Sequence, residues 1–458
     1  MNILTICYID RNAAYNYWVP TLPGSGSKPA YGSSLMNPAA VIVNGGYLVR
    51  SVAVDDSTLS IQADFNVTTP LEIIGAPQGV SKLVVNGKEL SYTISQLGDW
   101  TASPNTVLPV VQVPDLSKLT WYQVDSLPEV QPYYDDSHWP SANHKTSNNS
   151  VAPLKTPVSL YGSDYGFHTG TLVFRGRFTA QTSQQQLSLT TQGGNAFASS
   201  VWLNDKFIGS FHGFDAGVSA NSSYKLTNLI RGKRYVLTVV VDSTGLSENW
   251  NIGLDEMKTP RGIIDYTLLS SKGRQVPISS WKITGNLGGE DYHDTFRGPL
   301  NEGGLFFERQ GYHLPSPPLH AFDSRHGGSP YKGISHAGIA FYAAKLTLDL
   351  PSDSYDIPLS FVFDNTTTAA PYRSLLYVNG FQYGKYVSNV GPQTEFPVPE
   401  GILNYNGDNW IGVALWALDS HGAKVPGLEL KAKSPIVTSR QQVELVQGSA
   451  YKKRWGAY

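Results

Sequence analysis

The sequence predicts an all-β protein built as a small β-sandwich followed by two larger, similar sandwiches. Three observations carry that prediction. In residues 35–118 apolar segments alternate and are broken by turn residues about every 8–12 positions, the spacing of a sandwich, and helical periodicity is nearly absent throughout. The 458 residues are rich in Gly (44), Pro (29) and Tyr (26), and only 15% are charged, well below the usual quarter. Finally, two phrases are near twins. Val201-Trp-Leu-Asn-Asp-Lys-Phe-Ile-Gly209 and Leu376-Tyr-Val-Asn-Gly-Phe-Gln-Tyr-Gly384 each read as strand, two-residue turn led by Asn, short strand and Gly. Asn followed by Gly or Asp suits a tight hairpin whose two central residues need positive φ. Further on, Gly232-Lys-Arg-Tyr-Val-Leu-Thr-Val-Val-Val matches Gly407-Asp-Asn-Trp-Ile-Gly-Val-Ala-Leu-Trp at the same offset of 175 residues (379 − 204 and 407 − 232). An offset held across two strand pairs implies two copies of one β-domain. A shorter echo, Val84-Val-Asn-Gly87, lies near the start.

Taken in order, residues 1–34 hold a short apolar strand, Ala14-Tyr-Asn-Tyr-Trp-Val-Pro and a Gly/Ser/Pro stretch, too little for a core. They read as the remnant of a preceding β-domain. Residues 35–118 carry four alternating segments, beginning at Val41, Leu59, Leu71 and Leu83, and form the small sandwich. Residues 119–300 are the first large copy. It opens at Trp121 and Tyr133-Tyr-Asp-Asp-Ser-His-Trp139, with strands expected at Thr171–Phe178, Leu187–Thr190, Ser200–Leu203 and Tyr235–Val241. Residues 301–458 are the second, with strands at Ile339–Leu348 and Leu359–Phe363 beside the matched pairs. The Pro-rich stretch from His313 separates the copies. Their lengths, about 180 and 160 residues, suit eight-stranded jelly rolls.

Net charge is −2 with both signs scattered, which gives no electrostatic case for nucleic acid or an anionic membrane. No run of 18 apolar residues marks a membrane span. One cysteine, Cys7, excludes an internal disulfide and favours a reducing compartment. Against that stand four sequons for N-glycosylation, at Asn66, Asn148, Asn221 and Asn365, all in polar stretches. The start lacks the basic region and cleavage site of a signal peptide and reads as a strand joined midway.

Chemistry is sparse. Ten histidines fall in no metal-ligand spacing, and His313, His320 and His326 read as surface residues of a loose loop. No metal and no cofactor is expected. Glycoside cleavage needs two carboxylates across one bond. Glu302 and Glu308 are one such pair, but Glu308 beside Arg309 reads better as an inter-domain ion pair among connector glycines. Asp135 and Asp136 read as Asx-turns at a strand entry. Aromatic side chains make the best binding case, because a flat ring covers the C–H face of a sugar. Most of the 10 tryptophans sit among apolar neighbours and read as core. Trp250 differs: it lies in a polar, Gly-bounded loop directly after a buried strand, where sandwiches carry binding residues. Sugar contact and loop packing both remain open for it.

Several motifs together resemble the fungal secreted β-galactosidases of glycoside hydrolase family 35. They are Gly166-Phe-His-Thr-Gly170, Gly245-Leu-Ser-Glu-Asn-Trp-Asn-Ile-Gly253, Pro260-Arg-Gly-Ile, Asn286-Leu-Gly-Gly-Glu-Asp, Arg297-Gly-Pro-Leu-Asn-Glu-Gly-Gly-Leu and Gly391-Pro-Gln-Thr-Glu-Phe-Pro-Val-Pro-Glu-Gly-Ile-Leu-Asn. The resemblance runs from about Ile3 to the end. It implies that the two large copies are jelly rolls of the galactose-binding-like kind. It further implies a parent enzyme that removes terminal β-galactosyl residues with retention. That enzyme carries its two catalytic glutamates in an N-terminal (β/α)₈ barrel, which this chain lacks, so no catalytic residue carries over and the chain alone is expected to be inactive. Asn301-Glu302 belongs to a different motif from the family's acid/base segment. What carries over is Trp250, which matches a tryptophan lining the acceptor-side sugar subsites, with Glu248 and Asn249 in its loop. The expected partners are β-galactosides and a (β/α)₈ barrel, the latter on the parent chain or separately encoded. The family is extracellular. Three readings follow: non-catalytic β-domains that brace the barrel, a stand-alone carbohydrate-binding module, or a subunit that completes a separate barrel.

Overall fold

The computed structural model describes residues 8–22, 40–150, 152–214, 217–245, 259–322, 328–364 and 370–457. They are almost wholly β; among them the one α-helix is Phe306–Gln310. The chain forms two compact units. The first comprises Met1–Val113 with Asp349–Ser360 and Lys431–Glu444, and the second comprises the rest.

In the first unit two sheets face each other. One contains Tyr17–Trp18, Ile42–Asn44, Leu71–Ile74, Trp100–Ala102 and Tyr92–Ile94, and the other Leu48–Asp55, Thr58–Asp64, Lys82–Val85 and Lys88–Leu90. Alternation predicts the packing. Leu59, Ile61 and Ala63 point inward from one strand, Leu71 and Ile73 from another, and all five are fully buried. The strand inside residues 1–34, Tyr17–Trp18, hydrogen-bonds to Ile42–Asn44. Late chain segments complete the unit. Tyr355–Asp356 pairs with Ile436–Val437, and Phe65 bridges to Val437.

The second unit holds both large copies. In the first copy a five-stranded sheet runs Lys206–Phe211, Ser199–Leu203, Arg234–Ser243, Gly170–Thr179, Ile278–Thr284. It faces a three-stranded sheet, Ser219–Leu226, Gln185–Gln192, Gly262–Ser270. The second copy repeats the order as Phe381–Val387, Tyr372–Val378, Asn406–Ala417, Gly338–Asp349, Trp121–Asp125, over Glu395–Pro397, Leu359–Phe363, Leu428–Ala432. Each copy therefore has eight strands. The second reaches eight only by taking Trp121–Asp125, which precedes the first copy in sequence and pairs with Gly338–Asp349 in the register Val124↔Phe341.

The twin phrases are twin hairpins. Asn86, Asn204 and Asn379 all have positive φ (49°, 52° and 47°), and each side-chain oxygen accepts a neighbouring strand's N–H, from Ala63, Val236 and Trp410 respectively. Gly87 and Gly380 also have positive φ, whereas Asp205 does not, so the Asn-Asp turn departs from the expected geometry at its second residue. A register shift occurs between Val201 and Trp202 and again between Leu376 and Tyr377, at the same offset of 175. The partner strands are offset by 174 instead (410 − 236), so the loops between the strands differ by one residue.

The inner strands Ser199–Leu203 and Arg234–Ser243 are buried on both faces. Val201, Leu237, Val239 and Val241 face the sandwich interior, while Trp202, Val240 and Ala198 pack with Phe307, Phe341, Tyr377 and Trp416 of the second copy. Trp416 Nε1 donates to Ser200 Oγ across that contact at 3.1 Å. This double burial explains the unbroken apolar run Val239-Val-Val.

Candidate functional site

Glu248, Asn249 and Trp250 lie outside the described residues, but both roots of their loop are described. Strand Arg234–Ser243 ends at Thr244 and Gly245, and the chain resumes at Thr259 ahead of strand Gly262–Ser270. Thr244 donates to the Gly193 carbonyl through N (2.8 Å) and Oγ1 (2.9 Å). The buried Arg261 spans the two roots. Its Nε donates to Gly245 O at 2.8 Å, and its Nη1 donates to Thr259 O (3.2 Å) and Oγ1 (2.7 Å). Burial lowers the Arg261 pKa from its ordinary value. Gln192 Nε2 fixes Pro260 O at 2.6 Å. Gly194 (φ +99°) leaves room for this clamp: a Cβ there would meet Thr244 Oγ1 at 2.1 Å. The only sequence signal of this clamp, within Pro260-Arg-Gly-Ile, is an arginine at the entry of an apolar strand.

The motifs Gly166-Phe-His-Thr-Gly170 and Asn286-Leu-Gly-Gly-Glu-Asp meet in a cleft of about 370 Å³, lined by Gly166, Phe167, Asn286, Glu290 and Asp291 among others. His168 Nε2 lies 2.5 Å from Glu290 Oε1 at its rim, and both side chains are substantially exposed. The glycines make the loops fit. A Cβ on Gly285 would strike the Phe167 ring at 2.5 Å, and one on Gly289 would come within 3.2 Å of Gly166 O. Packing accounts for these motifs.

Glu302 and Glu308 are both buried in the second unit, where neither can flank a glycosidic bond. Glu308 accepts from Gly303 N (2.8 Å), Leu305 N (3.0 Å) and Tyr377 Oη (2.5 Å). Burial pushes its pKa up to about 7 against those hydrogen bonds. The expected ion pair forms elsewhere: Arg309 binds Glu129, also buried, and stacks over Trp139. Glu302 takes a two-pronged contact from Arg454 (2.8 and 3.1 Å) and lies 3.1 Å from His313 Nε2. Burial opposes its ionisation, but His313 and Arg454 outweigh that and hold its pKa below the usual value. His313 is itself buried, which corrects its reading as a surface loop residue, and burial lowers its pKa. His320 is exposed, and His326 lies outside the described residues. Asp135 forms the expected Asx-turn to Ser137 N (2.9 Å), whereas Asp136 is buried against Arg175 and Arg177. Among the described residues no cluster of three or more metal-ligating side chains occurs, and no helix is long and apolar enough to cross a membrane.

Of the sequons, Asn148 and Asn221 are exposed and Asn66 is half-buried, while Asn365 lies outside the described residues. Asn221 Oδ1 accepts from Thr190 Oγ1 on the adjacent strand at 2.7 Å.

The profile of the family "Beta-galactosidase second all-beta domain" matches residues 134–247 and again 306–421, once in each copy. That of "Beta-galactosidase, domain 3" matches residues 18–101. The chain is 51% identical over 456 residues to a protein named "Beta-galactosidase A" from Penicillium sp, covering 99% of this chain and 44% of that one. Its identity to "Beta-galactosidase A" of Aspergillus niger is also 51%, over 455 residues with the same coverage. The chain thus spans less than half the length of these relatives. A solved glycosyl hydrolase family 2 member from Bacteroides cellulosilyticus superposes at a TM-score of 0.19 with 11% identity, over 72% of this chain and 32% of that one, too loosely to argue from.

Proposed function

The chain belongs to the β-galactosidase second all-β domain family, and from that premise we propose that it forms the non-catalytic C-terminal β-domains of a galactoside-cleaving enzyme. The carrying observation is the coverage. Nearly the whole chain matches β-galactosidase A, yet it accounts for 44% of that protein. In this reading the remaining length carries the barrel with its two glutamates, and the jelly rolls brace it. The Glu248-Asn249-Trp250 loop lines the acceptor side of the sugar site, with Trp250 covering the C–H face of the leaving sugar. The Arg261 clamp supports this role, because a binding loop on fixed roots loses less entropy when it engages a ligand. The parent enzyme is secreted, and Asn66, Asn148, Asn221 and Asn365 are its glycan acceptors.

The test is Trp250→Ala in the barrel-containing parent enzyme. KM for a galactosyl disaccharide rises about five- to tenfold, while a galactoside with a small leaving group changes by less than about twofold. Equal effects on both substrates would exclude an acceptor-side role.

A further inference from the structure

A cleft of about 800 Å³ opens in the first unit, within the size range of small-ligand sites. Four stretches far apart in sequence build it: the hairpin around Asn86-Gly87, residues 104–107, residues 353–355 and residues 437–440. Its frame is fixed by internal bonds. Asn86 uses its side chain on both Ala63 N (2.9 Å) and Ala63 O (2.7 Å). Thr438 Oγ1 donates to Asp64 Oδ1 at 2.6 Å, and Asp64 in turn holds Arg50. Tyr355 is held through its strand pairing to Val437 and through its hydroxyl, which donates to Val107 O at 3.1 Å.

Against that fixed frame stand side chains with no internal task. Gln62, Lys88, Asn105 and Asp353 line the cleft, and among the described residues none makes a side-chain hydrogen bond or ion pair. They offer two amides, one ammonium and one carboxylate. Phe65, Val85, Val437 and Tyr355 are the apolar and aromatic members of the lining. A phosphate-bearing ligand would meet the Asp353 carboxylate. A purely apolar ligand would strand the polar groups, at a cost for each. A chain of linked sugar rings satisfies both sets, with hydroxyls for the amides and charges and C–H faces for the aromatic ring.

We propose that this cleft binds a neutral oligosaccharide. The lining sets the sugar class, and the choice of a galactose-built chain rests on the function proposed above. The experiment is calorimetric titration of the 458-residue chain with β-1,4-galactotetraose. The expected result is saturable binding that Asn105→Ala and Asp353→Ala each weaken about five- to tenfold, as loss of a ligand hydrogen bond does. Both rim residues are exposed, so their variants fold, and Tyr355→Phe tests the pinning of the ring without removing it. Absence of saturable binding, or binding indifferent to both rim variants, overturns the proposal. Binding lost only in Trp250→Ala also overturns it, while leaving the acceptor-loop reading standing.

Discussion

Glu308 is a buried carboxyl whose burial favours the protonated form and outweighs its three hydrogen-bond donors, which favour the ionised one. Its unfolded pKa is the ordinary 4.5 and its folded pKa is about 7. Its contribution to stability is therefore full below about pH 4.5 and is lost as pH rises through 7. His313 acts in the opposite sense, because its lowered pKa makes folding less favourable as pH falls below its ordinary 6.5. The two are separated by comparing wild type with Glu308→Gln. In urea titrations the variant gains on wild type between pH 5 and pH 8; a constant difference would show that Glu308 stays ionised. Arg309 poses a different case. Its partner Glu129 is buried, so Arg309→Met removes the cation paired with that carboxyl and costs about 3–5 kcal/mol. Adding Glu129→Leu should restore most of that loss. A double variant no more stable than the single one would mean that packing against Trp139, not charge, sets the cost.

Among the elements, the hairpins were the most legible. Asn-Gly between apolar runs states its turn locally, and Asn379 takes up positive φ with its side chain on Trp410 N as that motif requires. The strands beginning near Thr171, Leu187 and Tyr235 also fall where alternation placed them. Contacts between distant segments were not legible. Nothing local to Trp121–Asp125 says that Val124 will pair with Phe341, 217 residues on (341 − 124). Likewise, the Arg454 to Glu302 contact joins residues 152 apart, and His313, which reads as a loop residue, is buried with its ring against Phe307 and Tyr377. Trp250 stands out in the sequence by its polar setting, whereas Arg261, which clamps the roots of its loop, reads like any strand-entry arginine. The edge strand has a direct test. Val124→Pro removes a ladder donor and a core side chain together, and should lower the melting temperature of the second unit while sparing the first. Equal loss in both units would show that they unfold as one.

At the scale of the whole molecule, the chain is two copies of one jelly roll sharing a packed face, joined in the second unit, with a small sandwich in the first. The copies share strand order, bulge position and a positive-φ Asn at the turn, yet only the first has a Gly-bounded Glu-Asn-Trp segment after its central strand. That asymmetry is what a bracing domain with one specialised loop would show, and it leaves the repeat itself without chemistry. The two buried carboxylates, Glu302 and Glu308, are engaged by groups of the second copy: Arg454 and His313 for the first, Gly303, Leu305 and Tyr377 for the second. The central claim is that this chain shapes a galactoside-cleaving enzyme without performing the cleavage. Its most direct test is hydrolysis of a chromogenic β-galactoside by the purified, folded 458-residue chain. The account predicts no turnover above the buffer rate, and turnover that persists through purification and falls in the Glu302→Gln or Glu308→Gln variant would contradict it.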